Sequence, residues 1–248
     1  MTMAPFRPLP AAGAGPRPDP GIAIPPGCRL ATCDLDGEGD GEGGDGIALA
    51  EARALLSAAE AARADRFRFA RDRDRYVRGR GFLRRQLAAA TGRPAAGLAL
   101  IEGPQGKPAL ACGAVEFNLS HSGALAVLAI STAGPVGIDV EHIDRMVDVA
   151  GLAETCFTAA ERAVLDRLDA AARPRQFFLF WTAKEARMKL TGEGMALAPR
   201  AIELDLLHDR PLGCRTPAAP RVRFDFPGLG GDGSAVCCLA TLAGEGGR

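Results

Sequence analysis

The chain has 248 residues, in which 30 Lys plus Arg balance 30 Asp plus Glu. Zero net charge argues against a dedicated nucleic-acid binder, which normally carries a basic excess. No run of about 18 apolar residues is available to cross a bilayer. The seven Cys include no Cys-x-x-Cys pair, and none of the three His adjoins a Cys pair, so they read as free thiols rather than zinc ligands. The cations are lopsided, 27 Arg to 3 Lys, which makes each Lys informative.

Residues 1–27 are rich in Pro, Ala and Gly without periodicity and read as a disordered or draped arm. This stretch has no apolar signal core, so a cytoplasmic protein is expected. Cys28–Asp34 alternates as an edge strand. Residues 34–46, DLDGEGDGEGGDG, imitate a calcium loop, but they follow a strand-like segment and end on Asp45 rather than a long bidentate Glu. A solvated acidic loop is the better reading.

Residues 48–91 read as helical, closed by Gly92. Strands are expected at 98–101, 115–119, 125–130 and 136–141, and helices at 159–168 and 174–190. Late strands follow at 202–206, 222–226 and 236–242. An echo recurs about 100 residues apart. Ser57 with Glu60 and Thr158 with Glu161 are both capping boxes. Each leads through an Arg-rich helix to a second helix ending in Thr-Gly, at Gly92 and Gly192. The echo predicts an α+β fold built as a pseudo-dimer of two similar halves, 28–134 and 135–248, with the active site in the cleft between them.

Three windows, 107–122, 137–142 and 181–189, hold all three Lys, the only Asn, the only Trp and two of the three His. In the first, Phe117 and Leu119 face a core, and Ser120, His121 and Ser122 fall at the strand end or turn, where they suit an anion. A Ser/His hydrolase reading is weak, because adjacent residues rarely form a nucleophile–base pair and no Gly-x-Ser-x-Gly elbow exists. In the second, Asp139 and Glu141 project from one strand face, while Ile138 and Val140 point to the core. Paired carboxylates there are either solvated or bound to a hard cation such as Mg²⁺. In the third, Glu185 and Lys189 share a helix face, as a surface ion pair or as an ammonium beside a phosphate. Three carboxylates, several cations and no evident covalent nucleophile point to metal-assisted phosphoryl or phosphodiester chemistry.

In this order the windows resemble the surfactin-synthetase-type 4′-phosphopantetheinyl transferases. The motifs are Gly-Lys-Pro at Gly106–Pro108, Phe-Asn-x-Ser-His-Ser at Phe117–Ser122, Gly-Ile-Asp-x-Glu at Gly137–Glu141 and Trp-Thr-x-Lys-Glu-Ala-x-x-Lys at Trp181–Lys189. The similarity runs from about Leu56 to Pro199.

The resemblance implies a monomeric, Mg²⁺-dependent enzyme that moves the phosphopantetheine arm of coenzyme A onto a Ser of an apo acyl or peptidyl carrier, releasing 3′,5′-ADP. It implies that Asp139, Glu141 and Glu185 hold Mg²⁺, and that Glu185 is the base. Lys189 would neutralise the pyrophosphate and assist the leaving group. His121 and Ser120 would bind phosphate oxygens. Lys107, Arg75 and Arg63 would serve the 3′-phosphate, with Gly106 to Pro108 near adenine. Catalysis would thus fall to Glu185, Lys189 and His121. Glu60 stands where some relatives have a cation, and Lys184 has no task that its position reveals. Two rivals remain. A Mg²⁺-dependent nuclease or phosphodiesterase would want a Lys two residues after a carboxylate, and neither Asp139, Glu141 nor Glu185 has one. A non-catalytic CoA- or carrier-binding relative would not need every metal and cation position filled. Which carrier is served is not encoded in these motifs.

Overall fold

A computed structural model of the chain describes residues 24–37, 46–103, 105–144, 146–215, 221–229 and 233–243. Most of the N-terminal arm (1–23) and of the acidic loop (38–45) lies outside them. The architecture is α+β, with three sheets and six α-helices among the described residues.

The first half runs β1 (Cys28–Asp34), α1 (Leu49–Ala54), α2 (Ala58–Ala64), α3 (Ala70–Thr91), β2 (Leu100–Glu102), β3 (Pro108–Leu110), β4 (Glu116–Ser122) and β5 (Leu125–Ser131). The second runs β6 (Val136–His142), α4 (Val149–Cys156), α5 (Ala159–Asp166), α6 (Arg173–Thr191), β7 (Glu203–Leu207), β8 (Arg210–Arg215), β9 (Val222–Asp225) and β10 (Ala235–Leu242). Each half starts with a strand, continues through three helices, and returns its last strand antiparallel to its first, β5 on β1 and β10 on β6. The sheets order as β1-β5-β4 and β6-β10-β9-β8-β7, with β2-β3 a separate ribbon.

Local chemistry repeats as well. Ser57 and Thr158 each accept from the N–H three residues on, and Glu60 and Glu161 each reach back to the cap, completing both boxes. Such a cap contributes about 1 kcal/mol. The helix expected over 48–91 is broken at Ser57 because that cap starts a new helix, and again before Ala70. Helices α3 and α6 both end on a left-handed glycine, Gly92 and Gly192.

Strand alternation makes three cores. Cys33, Ala126, Leu128 and Ile130 pack with Val77, Phe82, Leu83 and Leu87 of α3. Val236, Cys238 and Ala240 join Phe177, Phe180, Ala183 and Ala186 of α6. Between the sheets lie the opposite faces, with Leu30, Val127 and Ala129 packed on Ile138, Val140, Cys237 and Leu239. A period of two thus gives β5, β6 and β10 two buried faces. Three elements went unread. The ribbon strand β3 has only three residues, α4 is short, and β8 contains Pro and Gly, which mask a strand pattern.

Candidate active site

Of the two places expected for Ser120, His121 and Ser122, the strand end or a turn, the structure shows the strand end. Strand β4 continues through Ser122, which pairs with Leu125 of β5 across a two-residue turn. Gly123 takes φ 58° there, so the turn is tight enough to keep the ladder intact to its end. The three residues therefore alternate between faces instead of clustering.

Asn118, Ser120 and Ser122 share one face of β4 and join it to β6, which runs alongside in the same direction. Asn118 Oδ1 accepts from the Ile138 N–H at 2.8 Å, and Ser122 Oγ accepts from the His142 N–H at 3.1 Å. Ser120 donates to Asp139 Oδ1 and Ser122 to Glu141 Oε2, both at 2.9 Å. Side chains thus join the edges of the two sheets, which explains why the only Asn of the chain is buried here.

Gly137 sets the other side of this seam. A Cβ there would overlap the Ala186 carbonyl and the Leu190 backbone nitrogen, so only glycine lets α6 lie this close to β6. Gly137, Asp139 and Glu141 share a strand face, and the helix brings Lys189 to it. Lys189 Nζ donates to Asp139 Oδ1 at 2.6 Å and to Ser120 Oγ at 2.9 Å. Asp139 is 2% exposed, and its Oδ2 is buried with no hydrogen-bond partner. Burial, reinforced by Glu141, pushes its carboxyl up to about 6 against the opposing pull of Lys189 and Ser120. The Glu185 carboxylate makes no hydrogen bond among the described residues. Its pKa is raised by burial and by Glu141, and Lys189 opposes the shift. No three His, Cys, Asp or Glu among the described residues form a ready-made metal cage.

The other face of β4 carries Leu119 and His121 into a cavity of about 410 Å³. Its opposite wall is one stripe of α3, Asp72, Arg75, Tyr76, Gly79 and Arg80, at helical spacing. Phe67 stacks on Tyr76 with ring centroids 5.2 Å apart, and the exposed Arg63 lies 5.5 Å over the same ring. Arg80 and Tyr76 were not singled out from the sequence. The signal was present in their spacing from Arg75, but an Arg-rich helix offers too many equivalent stripes to choose one.

Three expected site residues, Gly106, Lys107 and Pro108, lie away from the cavity. Lys107 Nζ donates to the carbonyls of Val136 and Leu190, both at 3.0 Å, bracing the start of β6 against the end of α6. Burial lowers its pKa. Gly106 lies in the β2–β3 turn that carries that lysine and Pro108 opens β3, and none of the three lines the cavity. Glu60 is the buried capping carboxylate, bound by Arg84 at 2.5 Å and by Arg80 Nε at 2.6 Å. Lys184 has its counterpart role. It meets Glu161 at 2.6 Å and donates to the carbonyls of Cys156 and Pro199, so all three ammonium hydrogens are used.

A family model described as 4′-phosphopantetheinyl transferase superfamily matches residues 135–229, and one described as 4′-phosphopantetheinyl transferase, N-terminal, matches residues 47–133. The chain is 36% identical over 149 residues to the 4′-phosphopantetheinyl transferase HetI of Nostoc sp., covering 58% of this chain and 62% of that one. It is 41% identical over 98 residues to AcpT of Salmonella typhimurium, covering 38% and 49%. It is 40% identical over 102 residues to psf-1 of Bacillus pumilus, covering 41% and 42%. In each case the match spans less than two thirds of the relative's own length. The chain belongs to the 4′-phosphopantetheinyl transferase superfamily.

Proposed function

We propose that the chain transfers the 4′-phosphopantetheine arm of coenzyme A to a Ser hydroxyl of an apo acyl or peptidyl carrier protein, releasing 3′,5′-ADP. One observation carries this reading. The carboxylate–lysine cluster and the cavity lined by Arg75 and Arg80 lie on opposite faces of β4, reached from the consecutive residues Ser120 and His121. A ligand with a phosphate at each end of a nucleotide can lie across that strand and meet both. In this reading residues 28–134 bind the nucleotide and 135–248 supply the chemistry. The two halves are a pseudo-dimer, and the site is their shared cleft.

The donor set suits Mg²⁺. Asp139 keeps a buried oxygen without a partner, and Glu141 helps to raise the cost of ionising Glu185, a repulsion that a hard cation relieves. Asp139, Glu141 and Glu185 would hold the ion, which supplies charge neutralisation at the pyrophosphate. The remaining work falls to the chain. Glu185 takes the proton of the carrier Ser as its oxygen bonds to the β-phosphorus. The raised carboxyl makes it a better base than a solvated Glu. The bond from that phosphorus to the bridging oxygen breaks, and the electron pair leaves with 3′,5′-ADP. Lys189 offsets the charge that grows on the departing oxygen, and Ser120 and His121 bind phosphate oxygens. Arg75, with Arg63 beside Tyr76, grips the 3′-phosphate. Lys107 serves by bracing β6 against α6, with Gly106 and Pro108 shaping its turn near the adenine. No helix of the described residues is long and apolar enough to cross a membrane. The reading carries a cytoplasmic monomer.

The test is Glu185→Gln. Transfer to an apo-carrier is expected to fall about 10²–10⁴-fold, while calorimetry shows CoA binding retained. Transfer near the wild-type rate removes Glu185 as the base.

A further inference from the structure

Asp36 sits in the turn that leaves β1. Its N–H donates to Asp34 Oδ1 at 2.9 Å, a local turn that presents the Asp36 carboxylate to α3. Arg75 grips it in bidentate fashion, Nε to Oδ1 and Nη2 to Oδ2, both at 2.6 Å. Arg71 adds a donor at 3.1 Å. The turn is pinned again by Arg78, whose Nη1 donates to the Leu35 carbonyl at 3.2 Å. The fork of Arg75 is therefore held by an internal carboxylate, although the same side chain lines the cavity with Arg80 and His121.

Carboxylate and phosphate oxygens use the same pair of guanidinium N–H donors. We propose that Asp36 is an internal competitor for the anion seat of this cavity, pairing with Arg75 and yielding it only to a phosphomonoester. The inference rests on reading the cavity as the seat of the 3′-phosphate. A phosphomonoester carries close to two charges at neutral pH against one on a carboxylate, so it wins the exchange. A nucleotide without a 3′-phosphate leaves the pair intact. Substrate CoA and product 3′,5′-ADP carry the same 3′-phosphate, so the competitor weakens the hold on both and lets product leave. The Arg75 hydrogen bonds hold the Asp36 carboxyl far below the usual range, so it stays ionised and competes at every working pH.

The experiment is calorimetric titration of 3′,5′-ADP into the full chain, with 5′-AMP as the ligand lacking only the 3′-phosphate. Asp36→Asn and Asp36→Ala are each expected to tighten 3′,5′-ADP about three- to five-fold, the scale of a partly exposed ion pair, and to leave 5′-AMP unchanged. Using both variants separates loss of charge from any new contact of the amide. If wild type prefers 3′,5′-ADP but both variants bind it equally or more weakly, the competition is overturned and the cavity reading stands. If wild type does not distinguish the two nucleotides, the cavity reading fails and the proposal falls with it.

Discussion

Lys189 of α6 donates to Asp139 of β6 at 2.6 Å across the contact that Gly137 makes possible, and Ser120 of β4 bonds to both. Three elements far apart in sequence meet at this one carboxylate.

Replacing Lys189 by Met removes the cation from a carboxylate that is 3% exposed while its partner is 28% exposed. Breaking a buried pair costs about 3–5 kcal/mol, and partial exposure of the lysine brings the expectation to about 2 kcal/mol. Transfer is expected to fall about 10²–10³-fold beyond the loss of folded protein. Urea denaturation and single-turnover transfer measure the two effects separately.

Lys184→Met addresses a structural pair. Neither Lys184 nor Glu161 is measurably exposed, and the variant strands a buried carboxylate. A loss of about 3–5 kcal/mol is expected, lowering Tm by roughly 10 °C. The double variant with Glu161→Gln should recover most of this, because Gln still completes a capping box. Calorimetric melting of both proteins decides it, and equal Tm for the single and double variants would contradict the pairing.

Gly137→Ala drives a methyl group into the backbone of α6. A cost of about 3 kcal/mol is expected, with activity falling further than stability, because the helix that carries Glu185 and Lys189 must move. A variant with wild-type Tm would show that β6 and α6 are not in such close contact.

The Asp139 carboxyl is raised to about 6 by burial. The folded state therefore holds this proton more tightly than the unfolded chain does. The sign follows: its contribution favours folding fully below the unfolded value and is lost as pH rises through about 6. Stability of wild type relative to Asp139→Asn should thus decline between pH 4 and 7, read from urea midpoints. A flat difference would contradict the shift.

Much of this was legible because alternation and capping are local. The order Gly137, Asp139, Glu141 fixed which carboxylates share a face, and Ser57 and Thr158 announced their helices. The echo at about 100 residues lies in two capping boxes and two closing glycines, and all four are present in the fold. What stayed hidden depends on partners distant in sequence. Lys184 shows no task from its position in the sequence, and in the fold it neutralises the buried Glu161. Lys107 looked like a phosphate ligand and instead braces two carbonyls that lie 29 and 83 residues away. The serines of β4 were placed at the strand end or a turn, but their partners Asp139 and Glu141 on β6 cannot be seen from β4 alone.

The most direct measurement incubates the chain with CoA, Mg²⁺ and a panel of apo-carrier proteins, and reads each carrier by intact mass. The account predicts a gain of one phosphopantetheine on a single carrier Ser, with 3′,5′-ADP released in equal amount and no gain with Glu185→Gln. CoA binding without any carrier modification across the panel, or cleavage of nucleic acid instead, would contradict it.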